Sequence, residues 1–221
     1  MTRPTATDLD SLMRLVRWYY PPGLAAYAPD YQGSEQATRL RSLLGGVARD
    51  VGDVTEYAAT HPPVPDEVFA LGATARELRA WPVFLERVRQ EFPGCLIGNK
   101  TISFADPCYA CEVGLPGVQI GCGRYDMVVC LLSLLAPVYA IYGYHDCPGQ
   151  DFWTRFPPLP EEFQDHERRL AALVEAEFGF TRLSKEILLT PTPDLVPLSG
   201  NLLLGEAKLI DCLITTEHPE K

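Results

Sequence analysis

The chain has 221 residues with 29 acidic and 19 basic side chains, which gives a formal net charge of −10 at pH 7. Hydrophobic residues make up 47% and charged residues 22%, a composition typical of globular proteins that excludes a collagen-like or wholly disordered chain. The excess of acid argues against a nucleic-acid-binding protein, which needs basic side chains to neutralise phosphates, and against attachment to anionic lipids.

The N-terminal part of the chain, residues 1–92, carries apolar residues at helical spacing. Thr7 or Asp8 is expected to cap the first helix, and Pro21–Gly23 to end it. The proline-rich segment His61–Pro65 interrupts the pattern. The three predicted helices contain the apolar stripes Leu9–Tyr20, Leu40–Val54 and Leu78–Phe92.

From Cys95 onward the periodicity changes to short β-type runs that Gly, Pro and Asp residues separate. One further helix is predicted from Glu161 to Phe178, with acidic residues in its first turn and Gly179 at its end. The predicted strands are Cys95–Ile97, Thr101–Ala105, Tyr109–Val113, Val118–Ile120, Val128–Leu135, Val138–Tyr142, Lys185–Leu189, Leu202–Leu204 and Ala207–Thr215.

The order of helices, strands, helix and strands indicates an α+β fold with a helical N-terminal portion and a mainly antiparallel sheet with helices packed on one face. The chain is interpreted as a single domain over residues 1–221, helix-rich over 1–92 and sheet-rich over 95–215. A domain boundary near His61–Pro65 is the alternative interpretation.

The most apolar stretch of the chain is Met127–Tyr144, which carries no charged side chain. It is almost long enough to span a bilayer. However, Pro137 and Gly143 interrupt it and no basic cluster flanks it. We therefore interpret it as two buried strands joined near Ala136–Pro137, and we predict no association with a membrane.

Seven cysteines, in a chain whose first residues form no apolar signal region, predict a reducing, cytoplasmic compartment with mostly free thiols. Cys108 and Cys111 form a Cys-x-x-Cys pair. A redox pair, or a zinc site that adds Cys122, Cys147 or His145, is an alternative interpretation. A single pair of this kind favours free thiols that pack as small apolar residues.

The tripeptide His145-Asp146-Cys147 invites comparison with a Cys–His nucleophile system. In an extended chain Asp146 faces away from its two neighbours, and no local motif supplies an oxyanion hole. The sequence also lacks zinc-hydrolase, phosphate-loop, dinucleotide-binding and nucleophile-elbow motifs. The sequence therefore predicts no catalytic residue, no cofactor and no metal.

The charge is concentrated in the second half of the chain, because residues 111–221 hold 16 acids and 8 bases. Within Tyr144–Glu167, acidic side chains alternate with aromatic ones, which is typical of an interface for a basic partner. The alternative is that these aromatic side chains face the protein's own core. The predicted partner-binding residues are Asp146, Asp151, Phe152, Trp153, Glu161, Glu162 and Asp165.

The acidic segment with its prolines and aromatics, followed by the apparent closing strand Gly205–Ile214, resembles the predicted immunity proteins of bacterial polymorphic toxin systems. The particular family is the one found beside restriction-endonuclease-like toxins. The resemblance covers the overall pattern of residues 70–215. It implies a cytoplasmic inhibitor without catalytic residues that binds and neutralises one cognate toxin, often a nuclease.

The hypothesis from the sequence is therefore an immunity protein, not an enzyme, whose partner is a basic protein toxin and not a nucleic acid. One alternative is a thiol- or zinc-dependent enzyme centred on Cys108, Cys111, His145 and Cys147. Another alternative is a structural subunit of a larger assembly. The sequence leaves the oligomeric state open.

Overall fold

The computed structural model describes residues 8–50, 81–101, 106–118, 123, 125–149, 151–198 and 202–219. The helices in these ranges are α1 (Leu9–Tyr19), α2 (Pro29–Gln32), α3 (Glu35–Asp50), α4 (Trp81–Glu91), α5 (Glu161–Phe178), α6 (Lys185–Leu188) and α7 (Leu209–Leu213). The strands are β1 (Ile97–Asn99), β2 (Cys108–Gly114), β3 (Tyr125–Ser133), β4 (Val138–Asp146), β5 (Trp153–Arg155) and β6 (Thr181–Arg182).

The N-terminal helices begin where short polar side chains supply a cap. The Asp8 carboxylate accepts a hydrogen bond from the backbone N–H of Ser11 at 2.9 Å, which satisfies one of the free donors at the start of α1. The Ser34 hydroxyl accepts from the N–H of Ala37 in the same way at 3.1 Å. The predicted N-terminal helices are confirmed within the described ranges, and the segment His61–Pro65 lies outside them.

The sheet has the strand order β1-β2-β3-β4-β5, and each of these neighbours is antiparallel. The short strand β6 runs parallel to the beginning of β4. These strands and helices confirm the α+β class with a mainly antiparallel sheet. The apolar stretch forms β3 and β4, as predicted, and no helix among the described residues is both apolar enough and long enough to cross a membrane.

Successive side chains of each strand point to opposite faces of the sheet. On one face, which we call the helix-side face, Tyr109 of β2 stacks on Trp81 of α4 with ring centroids 4.9 Å apart. On the same face, the Tyr139 hydroxyl of β4 donates a 2.6 Å hydrogen bond to Glu175 of α5. Helices α4 and α5 therefore contact strands through this face.

Three of the predicted strands in the C-terminal part are wrong. Lys185–Leu189 contains α6, Leu202–Leu204 enters a turn, and Ala207–Thr215 contains α7. A short apolar run fits a buried strand and a short buried helix equally well, so its periodicity does not separate them. Hydrogen bonds at the first residues of α6 and α7 favour the helical conformation. Ser184 caps α6, and the Asp211 carboxylate accepts a hydrogen bond from the N–H of Lys208 at 2.7 Å.

One further difference concerns an edge of the sheet. Strand β5 lies in a segment for which no strand was predicted, because its three residues are too few to establish alternation. The predicted strands Thr101–Ala105 and Val118–Ile120 lie almost wholly outside the described residues.

A buried serine ties the end of β3 to the C-terminal helix α7. The Ser133 hydroxyl donates to the carbonyl of Leu213 at 2.7 Å. It also accepts from the backbone N–H groups of Leu135 at 3.1 Å and Ala136 at 3.4 Å, in the turn that leads to β4. One side chain therefore satisfies backbone hydrogen-bonding groups both in the turn and at the end of α7.

Replacing this serine is expected to destabilise the fold. S133A leaves one buried carbonyl and two buried N–H groups without their bond to the hydroxyl, which costs about 1–3 kcal/mol in the free energy of unfolding. Urea unfolding followed by circular dichroism measures this loss. S11A is the matched control, because the Ser11 hydroxyl bonds the Arg14 guanidinium at an exposed position; its cost is expected to stay below about 0.5 kcal/mol. Equal effects of the two substitutions would contradict the role given to Ser133.

Candidate functional site: an acidic groove on the sheet

A groove of about 930 Å³ lies on the face of the sheet opposite α4 and α5. We call this face the groove face. The floor of the groove consists of alternate residues of the neighbouring strands β2 and β3, as their register requires. The floor residues are Cys108, Ala110, Met127, Val129 and Leu131, and all five are buried.

Acidic side chains surround this apolar floor. Among the described residues that line the groove, Lys100 is the one base and four are acids: Asp106, Glu112, Asp146 and Glu217. The Lys100 ammonium lies 3.5 Å from the Glu112 carboxylate, so it offsets one of the four. The groove therefore carries an excess of negative charge above a hydrophobic base.

Backbone geometry and hydrogen bonds hold two of these carboxyl groups in place. Gly98 of β1 lies beside Glu112 of β2 in the register, and a Cβ atom at position 98 would overlap the Glu112 side chain. Asp106 is buried, and its carboxylate accepts a 2.7 Å hydrogen bond from the Thr215 hydroxyl. The glycine and the threonine therefore contribute to the site without being charged.

Three tyrosines, Tyr125, Tyr142 and Tyr144, also line the groove. The Tyr144 hydroxyl donates to the Asp146 carboxylate at 3.4 Å, and burial together with Asp146 raises the pKa of this tyrosine. Burial also raises the pKa of Tyr142. The phenols of Tyr142 and Tyr144 therefore remain neutral near pH 7. The three tyrosines present aromatic faces and hydroxyl groups beside carboxylates. Such a set favours cations, which bind both carboxylates and aromatic rings.

The structure divides the predicted partner-binding residues between the two faces of the sheet. Asp146 lines the groove. Phe152 is 60% exposed, and its ring meets that of Tyr144 edge-on at 5.5 Å, which places it beside the groove. Trp153 instead belongs to the helix-side face, where its ring contacts Phe163 at 5.1 Å.

The remaining predicted residues are exposed but do not line the groove. Asp151 immediately precedes Phe152 in the loop before β5. Glu161 and Glu162 lie in the first turn of α5, where acidic residues stabilise the helix dipole. Asp165 forms ion pairs with two arginines of its own helix, at positions 168 and 169. The three acidic residues of α5 therefore have a structural explanation within that helix.

The cysteines of the Cys-x-x-Cys pair do not converge. Cys108 and Cys111 are three residues apart in β2, and an odd separation in a strand places side chains on opposite faces. Cys108 lies in the groove floor, whereas Cys111 faces Cys130 across the β2–β3 ladder on the helix side. Burial raises the pKa of Cys108 well above its ordinary value, and Asp106 adds to the shift.

His145 and Cys147 also show no nucleophilic arrangement with Asp146. The His145 imidazole pairs through Nδ1 with the Asp126 carboxylate and stacks on Trp153 at 5.5 Å, all on the helix-side face. Asp146 faces the groove, as the alternation predicted. Within the described ranges, no cluster of three or more His, Cys, Asp or Glu side chains is arranged to hold a metal ion.

Reasoning from the sequence missed most of the groove. Glu112 and Glu217 lie 34 and 71 residues from Asp146 in the sequence, so no local pattern joins them. One signal was present: Glu112 is a charged residue inside the otherwise uncharged strand Cys108–Gly114. A carboxylate in such a run marks a strand face that is not wholly covered.

Comparison with protein-family models, with curated proteins and with solved structures finds no match to this chain. The groove therefore has to be interpreted from its own chemistry.

The two cysteines of the Cys-x-x-Cys pair are expected to resist modification in the folded protein. With iodoacetamide at pH 7, Cys108 and Cys111 are expected to react at least about tenfold more slowly than Cys147, because the first two are buried thiols and Cys147 is partly exposed. Peptide mass spectrometry after timed quenching measures each rate. In urea the three rates are expected to converge. Fast modification of Cys108 in the native protein would revive the thiol-enzyme alternative.

Proposed function

We propose that this protein binds a basic segment of a partner protein in the acidic groove. The proposal is based on one observation: a single concave site combines an apolar floor, three tyrosines and four carboxyl groups. Lysine and arginine side chains combine an apolar stem with a cationic head. The floor is suited to the stems, and the carboxylates and aromatic rings are suited to the heads.

The charge of the whole chain supports the same kind of partner. Its formal net charge is −10, and the second half of the chain, which supplies β3, β4 and Glu217, holds twice as many acids as bases. A field of one sign steers an oppositely charged protein and raises its association rate. Affinity then depends on the few desolvated contacts at the centre of the interface.

The exposed side chain of Phe152 gives the groove an aromatic border. It lies beside Tyr144 and is the one large apolar side chain of the predicted surface that stays 60% exposed. Exposed aromatic residues beside a polar rim are typical of interface anchors. An extended segment of the partner that fills the groove would contact Phe152 as it leaves.

The more specific proposal is that the chain is an immunity protein and that the partner is a basic toxin such as a nuclease. A nuclease is basic where it grips phosphates. An inhibitor with a carboxylate-lined groove therefore competes directly with nucleic acid for those basic side chains. The support for this step is charge complementarity together with the acidic and aromatic segment on which the resemblance rests. The closing strand that the resemblance also used is instead the helix α7.

Neutralising the groove is expected to abolish most of the binding of a cationic peptide. The variant E112Q/D146N/E217Q removes three carboxylates with little change of shape. Its affinity for a fluorescein-labelled deca-arginine peptide is expected to fall at least about tenfold, since hydrogen bonds between charged groups contribute roughly 1.5–3 kcal/mol each. Fluorescence anisotropy at low salt measures the dissociation constant.

The matched control is E161Q/E162Q/D165N, which changes the net charge by the same amount on α5. A loss below about threefold is expected there, because only the long-range field changes. If the control variant loses more affinity than the groove variant, the interface lies on α5, as the sequence alone predicted. Equal losses of affinity in the two variants would mean that binding depends on net charge alone, and would contradict the groove as the binding site.

The toxin hypothesis makes a separate prediction in cells. Co-expression with a toxin encoded beside this chain's own gene is expected to restore growth, because the toxin's basic surface is covered. F152A together with the groove variant is expected to lose this protection while the protein stays soluble, and the α5 control is expected to keep it. Colony counts after toxin induction measure protection. If the chain binds deca-arginine but protects against no neighbouring toxin, the groove proposal stands and the toxin proposal falls.

A further inference from the structure

The register of the sheet places a carboxylate and an aromatic ring on opposite sides of the groove floor. Glu112 of β2 pairs with Val129 of β3, and Val129 pairs with Tyr142 of β4. The three residues therefore lie side by side in one row across the groove face, with Val129 in the middle. Because neighbouring strands lie about 4.8 Å apart, the backbones of Glu112 and Tyr142 are separated by about 10 Å. A cation over Val129 would be flanked by both side chains.

Contacts inside the protein hold the aromatic side of the groove in place. The Tyr142 ring meets the ring of the buried Phe156 edge-on, with centroids 6.4 Å apart. The next residue of β4 that lines the groove is Tyr144, whose hydroxyl bonds the Asp146 carboxylate. Both rings are thus held before a partner arrives, so a group that stacks on them does not have to order them first.

The acidic side of this row is partly removed from water. Only 18% of the Glu112 side chain is exposed. Burial raises the pKa of Tyr142, and Cys108, Glu112 and Glu217 add to the shift, because these groups lie near the phenol. A cation that enters the row therefore gives up part of its hydration. A guanidinium is more weakly hydrated than an ammonium, so it loses less on entry.

We propose that the groove selects arginine over lysine side chains of its partner, and that Glu112 and Tyr142 determine this preference. The inference rests on the function proposed above. A guanidinium is planar: its face stacks on an aromatic ring, while N–H groups at its edge donate two parallel hydrogen bonds to one carboxylate. An ammonium has no flat face and donates to a carboxylate from a single atom.

The lysine that the chain itself places at the groove makes the weaker kind of contact. The Lys100 ammonium is 3.5 Å from the Glu112 carboxylate, and 60% of the lysine side chain is exposed. By contrast, the guanidinium of Arg155 lies 4.1 Å from the centroid of the Trp153 ring, as stacking requires. A partner's lysine would only replace the Lys100 ammonium with another ammonium. A partner's arginine would add a bidentate bond and a stacked ring.

The test compares fluorescein-labelled deca-arginine with deca-lysine by fluorescence anisotropy at low salt. The two peptides carry the same charge, so the long-range field attracts them equally and the ratio of their dissociation constants reports the local contacts. The wild type is expected to bind deca-arginine at least about tenfold more tightly. Dissociation constants within about threefold of each other would mean that charge alone governs binding, and would overturn the proposal.

Two single substitutions remove the proposed contacts one at a time. Y142L removes the stacking face and E112Q removes the bidentate acceptor, so each is expected to bring the ratio to within about threefold, chiefly by weakening deca-arginine. Y27L is the matched control, since Tyr27 is 79% exposed and does not line the groove; its ratio is expected to equal that of the wild type. A preference that persists in both groove variants, or that Y27L also abolishes, would contradict the roles of Glu112 and Tyr142.

The wild-type measurements separate this inference from the proposed function. If neither peptide binds at low salt, the proposed function fails and the inference fails with it. If both peptides bind equally and E112Q/D146N/E217Q abolishes the binding of both, the groove is the binding site and the arginine preference is wrong. Neither outcome depends on Y142L, so the proposal stays open to refutation even where that variant folds poorly.

Discussion

The antiparallel pairing of β3 with β4 is the constraint on which the rest of the structure depends. The two strands match residue for residue from Leu132 opposite Tyr139 to Tyr125 opposite Asp146. Because side chains alternate, this register assigns every residue of both strands to one of two faces. A shift of β4 by one residue would move Asp146, Tyr142 and Tyr144 to the helix-side face and place His145 in the groove.

The two faces bury polar groups in different ways. On the helix-side face, ionisable groups are paired: His145 with Asp126, and Tyr139 with Glu175. Paired groups tolerate burial because each satisfies the other. On the groove face, by contrast, Asp146 and Glu217 retain partial or full exposure beside an apolar floor. Among the described contacts the carboxylates of Asp146 and Glu217 form no ion pair, so a cation that binds them does not have to break one, which makes the groove the better candidate for recognition.

The long elements were predictable because their patterns are long. Helix α5 has a clear apolar stripe, acidic residues in its first turn and a left-handed Gly179 after its last residue, and it was located correctly. The short elements were not, since α7 has five residues and β5 has three. Over such lengths the periods of 2.0 and 3.6 residues cannot be distinguished. Capping contacts that exist only in the folded state then determine whether the segment is a helix or a strand.

The sequence by itself determined the α+β class, the two central strands, the acidic balance and the presence of one aromatic and acidic segment. These are properties of composition and of local period, which do not require knowledge of distant contacts. The tertiary structure alone decided which acids share a site. In the folded protein Glu112, Asp146 and Glu217 line one groove, and Trp153 lies on the opposite face of the sheet. His166 contacts Cys95. Such sites are assembled by register and helix packing between residues far apart in the chain, and no local pattern encodes that proximity.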